Sequence, residues 1–208
     1  MRPRAPTPDA PLRLAVLASG SGSGMEALAR HQAAMTDVLH STSLVVVDRP
    51  EAGAIARAEA LGLQVAVVPL PEAEDRDERR LAHEAAIEAQ LATHCIEVVV
   101  LSGWMRLLTP AFVRAWKGRL LNIHPSLLPD FPGAHAHRDV LAAGATRSGC
   151  TVHFVDEGMD TGPIIAQVEV PVQPDDDEGT LAARVRREEH RLYPEVLDAY
   201  ASGTVRFP

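Results

Sequence analysis

A chain of 208 residues, 46% apolar and 23% charged, has the profile of a globular protein and is long enough for one sizeable domain. Its formal net charge of −8 excludes a nucleic-acid binder that draws its affinity from neutralising phosphates, though not an anionic small ligand held by local groups. No apolar run approaches the roughly 18 residues of a membrane span. Cys95 and Cys150 lack metal-ligand spacing and read as buried or half-buried thiols in a reducing cytoplasm.

Residues 1–11, with Pro3, Pro6, Pro8 and Pro11, lack the apolar stretch of a secretory signal and read as a loose tail. Leu12 to Ala18 is a buried first strand. It runs into Ser19-Gly20-Ser21-Gly22-Ser23-Gly24, and Met25 to Arg30 then turns helical. A strand, a glycine-serine turn and a helix start make a phosphate cradle, because backbone N–H groups and the helix N-terminus both favour an anion. The spacing is not the dinucleotide fingerprint GxGxxG, and a flexible turn is the alternative.

Leu44 to Val47 is a second strand ending at Asp48, followed by a helix from about Glu51 to Leu61 with Gly62 as its cap. Leu63 to Val68 is a third short strand. The charged segment Glu72 to Arg80 opens a helix that continues to about Thr93, and Arg76 within it is either solvated or a ligand contact. Val98 to Leu101, wholly apolar, is a central parallel strand. Ligands of open α/β sheets gather beyond the carboxyl ends of strands. Trp104, Met105, Arg106 and Leu107 are therefore expected near the same mouth as the glycine-serine turn, with ordinary core packing the alternative for Trp104 and Met105.

The stretch Leu120-Leu121-Asn122-Ile123-His124-Pro125-Ser126-Leu127-Leu128-Pro129 begins apolar and ends in a proline turn. On an extended segment residues two apart share a side, so Asn122 and His124 face one cavity. Pro125 ends the strand because it has no N–H to donate. A neutral hydrogen-bond donor beside a proton carrier suits acyl-type transfer, in which a carbonyl oxygen becomes an oxyanion. Further on, His135 and His137 have no third ligand at suitable spacing, so the loop reads as substrate-positioning and no metal is expected.

Thr151 to Val155 alternates, with Val152 and Phe154 on one face and His153 on the other. Val168, Val170 and Val172 alternate too, which makes an antiparallel hairpin. Its connection, Asp156 to Pro163, is longer and more acidic than a turn requires, as functional loops tend to be. A final helix starts after Pro174 to Gly179, with Thr180 as its N-cap and an apolar stripe of Leu181, Val185, Leu192 and Val196. Glu189 falls on that stripe, where a carboxylate needs a paired Arg or a polar ligand. Pro194 is expected to kink or break the helix.

SGSGS, SGWMRLL, LLNIHPSLLPDFPGAHAHRDVL, TVHFVDEGMDTGPIIAQ and VRREEHRLYP occur in that order. Through them the sequence, from Leu12 to its end, resembles the phosphoribosylglycinamide formyltransferases. The resemblance implies an α/β formyltransferase fold: a Rossmann-like half of parallel strands continuing into a mixed sheet with a C-terminal antiparallel hairpin and a final helix. It implies a single domain over 12–208, with 12–110 the nucleotide-phosphate-binding half and 111–208 the catalytic and folate-binding half. The implied reaction passes the formyl group of 10-formyltetrahydrofolate to the amine of glycinamide ribonucleotide in purine synthesis, without a metal.

Matched residue by residue, the family's catalytic positions fall on Asn122, His124 and Asp160. Its ribonucleotide contacts fall on Gly22, Ser23, Gly24, Arg186, Arg187, Glu188 and Glu189, with Glu189 the main carboxylate. Its folate contacts fall on Arg76, Met105, Arg106, Leu107, Leu108 and Asn122, and on the loop Asp156, Glu157, Gly158, Met159, Asp160. A cis bond before Pro129 is also implied. Two departures stand out: the family commonly has Asn at Gly24 and Ser-Asn at Val47-Asp48. A monomer or homodimer acting on small molecules in the cytoplasm, with neither nucleic acid nor membrane as partner, is the matching expectation. The rivals are a formyltetrahydrofolate hydrolase and a non-catalytic nucleotide-binding α/β module. The hydrolase is expected to carry an N-terminal regulatory domain, and an initiator-tRNA formyltransferase a C-terminal one.

Overall fold

A computed structural model describes residues 3–208. Five strands run parallel: β1 (Leu12–Ala18), β2 (His40–Val47), β3 (Val65–Val67), β4 (Val98–Leu101) and β5 (Leu120–His124). Two antiparallel strands, β6 (Arg147–Phe154) and β7 (Ile164–Pro171), complete a sheet ordered β3-β2-β1-β4-β5-β6-β7. Six helices connect or flank them: α1 (Ser23–Ala34), α2 (Gly53–Ala60), α3 (Arg76–Thr93), α4 (Pro110–Ala115), α5 (Ala136–Ala142) and α6 (Glu178–Ala201).

The wholly apolar runs of β1 and β4 follow from burial on both faces. Val16, Val98, Val100, Leu121 and Val152 face a core closed by α1, α2, α5 and α6. Ala15, Leu17, Val99, Leu101 and Leu120 face a second core closed by α3 and α4. The hydrophobic effect acts on both faces, so the sheet is the middle of three layers.

β1 pairs with β2 on one side and β4 on the other. The chain reverses its direction of travel there, and the loops after β1 and β4 part over the crevice between them. Backbone bonds stitch the crevice: the Ser19 N–H donates to Gly103 O at 3.0 Å, and the Met105 N–H donates to Ser19 Oγ at 3.0 Å. Register then brings the next strand level, with Leu101 opposite Asn122 and Asn122 opposite His153.

Several local expectations need correction. The final helix is capped by Asp177, whose side chain accepts from the Thr180 N–H at 2.7 Å; Thr180 returns a bond to the Asp177 N–H, completing a capping box. Pro194 does not break α6, which runs on to Ala201. Tyr193, Pro194, Val196 and Leu197 are all buried against the core, and that packing outweighs the lost backbone bond. Cys95 is exposed, at a positive φ of 51° where the chain reverses after α3, and only Cys150 is buried. The tail is tied down as far as Arg4, whose guanidinium donates to Ala10 O at 2.6 Å and Pro11 O at 2.7 Å and pairs with Glu97 at 3.0 Å. The short helices α4 and α5 carried no periodic signal of their own. The Leu128–Pro129 bond is cis.

Tyr193 fastens α6 to the sheet, donating its buried hydroxyl to Leu121 O at 2.9 Å. Tyr193→Phe is expected to cost about 1 kcal/mol in urea denaturation, because the acceptor stays buried without its partner.

Candidate active site

A cavity of about 660 Å³ opens along the carboxyl ends of β1, β4 and β5. One end is the N-terminus of α1. Gly22 stands at its N-cap with φ 75°, a left-handed conformation that glycine adopts freely, and no side chain caps the helix. The first N–H groups of the helix therefore remain available to an anion. Gly22 also packs against Ala54, and the Ala54 N–H donates to Gly20 O at 3.1 Å, so the α2 start shapes this turn.

The middle of the cavity holds Asn122, His124 and Asp160 together. His124 is buried; its Nε2–H donates to Phe131 O at 2.9 Å, which leaves Nδ1 facing Asp160 Oδ2 at 3.4 Å. That is ion-pair range, somewhat beyond a hydrogen bond. Asp160 Oδ2 also accepts the Gly133 N–H at 2.8 Å. Asp160 sits at a positive φ of 55°, unusual for a residue with a side chain, and the turn thereby folds the carboxylate inward. Gly162 makes this possible, because a Cβ there would lie 1.8 Å from Phe154 O. Asp156 serves the same loop, accepting from the Gly158 N–H at 3.1 Å and the Thr161 hydroxyl at 2.8 Å.

His153 belongs to this constellation, although its place on a strand face gave the sequence no reason to single it out. Its Nδ1–H donates to Phe154 O at 3.0 Å, so Nε2 carries a lone pair and accepts from Asn122 Nδ2 at 3.2 Å. The bond fixes which end of the Asn122 carboxamide is nitrogen and leaves the second N–H for a ligand. Burial pushes the His153 imidazole below its ordinary range, which keeps this neutral form in place. The signal was the register that puts His153 opposite Asn122, and register is not visible in one strand alone.

The other end of the cavity is rimmed by Met105, Leu107 and Met159, each more than half exposed. Exposed large apolar side chains around a cleft mark a surface suited to a partly apolar ligand. Arg106 lines the cavity too, and its Nε pairs with Asp48, whose side chain is wholly buried. This accounts for the acid at the end of β2: it is the buried counter-ion of Arg106. Leu108 is half-buried against the second core.

Not every residue expected here arrives. Arg76, at the first turn of α3, is outside the cavity lining, and Arg80 one turn later takes its place, donating to Leu107 O at 3.3 Å. Arg187 is exposed away from the cavity. Glu188 is taken up by Arg191 at 2.9 Å, while Arg186 and Glu189 do line the wall. Glu157 lines the rim but pairs outward with Arg114 at 2.9 Å. His137 lines the cavity and His135 is the N-cap residue of α5. Among the described residues no three His, Cys, Asp or Glu side chains are grouped to hold a metal ion.

A family model described as formyl transferase matches residues 12–197. The chain belongs to the formyl transferase family. Within that family it is 42% identical over 187 residues to the phosphoribosylglycinamide formyltransferase of Bacillus subtilis, covering 89% of this chain and 92% of the relative. It is 41% identical over 193 residues to the trifunctional purine biosynthetic protein adenosine-3 of Drosophila melanogaster. The match covers 92% of this chain and only 14% of that longer protein. The crystal structure of glycinamide ribonucleotide transformylase 1 from Symbiobacterium toebii superimposes with a TM-score of 0.87 at 38% identity, over 93% of this chain and 89% of that one. Family membership agrees with the seven-stranded mixed sheet described above.

Glu189 makes a test of the site's electrostatics. Burial pushes its carboxyl up to about 7, against a smaller opposing pull from Arg186. A raised carboxyl favours the folded state while protonated, so that contribution is full below pH 4.5 and lost as pH rises through about 7. Glu189→Gln is therefore expected to match the parent in stability at pH 4.5 and exceed it by roughly 3 kcal/mol at pH 8, in paired urea denaturations.

Proposed function

We propose that this chain transfers the formyl group of 10-formyltetrahydrofolate to the amine of glycinamide ribonucleotide, releasing tetrahydrofolate and the formylated ribonucleotide in purine synthesis. The observation that carries the reading is the convergence of Asn122, His124 and Asp160 between an anion-ready helix N-terminus and an apolar rim. Relatives named phosphoribosylglycinamide formyltransferase, matched along nearly their whole length, support it. The ribonucleotide phosphate goes to the turn Gly22, Ser23, Gly24, and its glycinamide end lies toward Glu189. The folate ring system lies against Met105 to Leu108 and the loop Asp156 to Asp160, within reach of Arg80.

In this reading the substrate amine attacks the formyl carbon and the carbonyl electron pair moves to oxygen. Asn122 donates its free N–H to that oxygen, a contribution worth about 10²–10³ in rate, and His124, its Nε2–H held by Phe131 O, assists through its Nδ1 edge. Asp160, with Oδ2 3.4 Å from His124 Nδ1, receives the amine proton through water. When the tetrahedral centre collapses, the bond to the folate nitrogen breaks, and that nitrogen keeps the pair and takes a proton. The chemistry needs positioned charge in a partly dry cleft, and no step in it calls for a metal.

Two measurements test this. Tetrahydrofolate release, followed spectroscopically, should depend on added glycinamide ribonucleotide, and release that proceeds equally without it would instead mean transfer to water. Asp160→Asn should lower kcat by about 10²-fold or more while both KM values stay within about threefold, and equal losses in affinity and turnover would remove Asp160 from the chemical step.

A further inference from the structure

Gly24, the second residue of α1, brings no side chain of its own to the turn at the helix start. The neighbouring strand end occupies the space. A Cβ built on Gly24 would lie 2.3 Å from Ser102 Oγ but 3.7 Å from Ser102 Cβ. The hydroxyl alone therefore conflicts with a side chain at position 24, and the rest of Ser102 would make ordinary contact.

Ser102 follows β4 directly, and its N–H donates to Leu17 O at 3.0 Å, which holds its backbone in line with the sheet. Alternation gives Ser102 the face of Val98 and Val100, the face that α1 covers. It lines the cavity beside Gly22, Ser23 and Gly24. Within the turn, Ser19 Oγ accepts the Met105 N–H at 3.0 Å, Ser23 Oγ meets His190 Nε2 at 3.3 Å, and Ser21 is exposed, whereas Ser102 is partly buried against the α1 start. Among the described residues the Ser102 hydroxyl has no such partner.

We propose that Ser102 is a phosphate-binding residue, its hydroxyl donating to the phosphate monoester of the ribonucleotide from the place that a side chain at position 24 would otherwise fill. The phosphate then receives the N–H groups at the α1 start from one side and the β4 hydroxyl from the other. Gly24 is small because Ser102 carries the donor. The proposal rests on the formyl-transfer reading for the identity of the phosphate carrier, but the hydroxyl contact itself can be measured with inorganic phosphate.

The experiment compares the parent chain with Ser102→Ala, Gly24→Asn and the double variant, each checked for folding by thermal melting. Calorimetric binding of inorganic phosphate to the ligand-free protein is measured beside steady-state kinetics. Ser102→Ala is expected to weaken phosphate binding and raise KM for glycinamide ribonucleotide by about tenfold, as for a hydrogen bond to a charged group. Its kcat and its KM for the formyl donor should hold. Gly24→Asn alone should weaken phosphate binding, because its Cβ meets the hydroxyl, and the double variant should recover to within about threefold of the parent. Unchanged phosphate binding in Ser102→Ala overturns the proposal, as does a double variant no better than the worse single. Failure of the parent to formylate the ribonucleotide, with phosphate binding still dependent on Ser102, would sink the substrate assignment and leave the hydroxyl contact standing.

Discussion

Parallel pairing of β1 with two neighbours is the constraint from which the site descends. One strand cannot send its following loop both ways, so the loops after β1 and β4 must part, and the crevice between them is a consequence of strand order. Ser19 bridges it through its N–H and its hydroxyl, binding the glycine-serine turn to the segment that carries Met105 and Arg106. The uncapped helix start and the apolar rim of the cavity are thereby fixed relative to one another. Catalysis by positioned charge depends on such fixed geometry.

The second half of the sheet brings the chemistry to that crevice. β6 runs antiparallel to β5, so the loop after it leaves at the level of Leu120 and has to double back to reach His124. Asp160 completes that return in a left-handed turn, and glycine at 162 lets the loop lie against the Phe154 carbonyl. The left-handed conformation of Asp160 is local strain held in place by the surrounding loop, and it falls at the residue whose carboxylate reaches His124. Buried polar groups then support one another. His153 orients Asn122, Phe131 O orients His124, and the Ser126 hydroxyl holds the turn by donating to Asp130 O at 2.6 Å.

Charge is distributed with the same economy. The cavity wall carries two carboxylates in different settings: Asp160 close to imidazoles, and Glu189 drawn upward by burial with only Arg186 opposing. Asp48, which the sequence left without a reason, is the buried counter-ion of Arg106 at the cavity wall.

Much of this protein was written locally. Apolar runs specified β1, β4 and β5, the serine-glycine turn led into a helix start that no side chain caps, and two-residue spacing put Asn122 and His124 on one side. Each depends on neighbours within a few positions, where backbone geometry and alternation act directly. What the tertiary structure alone decided lies between distant segments. It chose Arg80 over Arg76, brought His153 to Asn122, took Glu188 out of the wall, and set Ser102 against Gly24. It also carried α6 through Pro194, because burial across that helix outweighed a local preference. Such pairings depend on strand register and helix docking, and those are set by the packing of the whole sheet, which no short stretch of sequence contains.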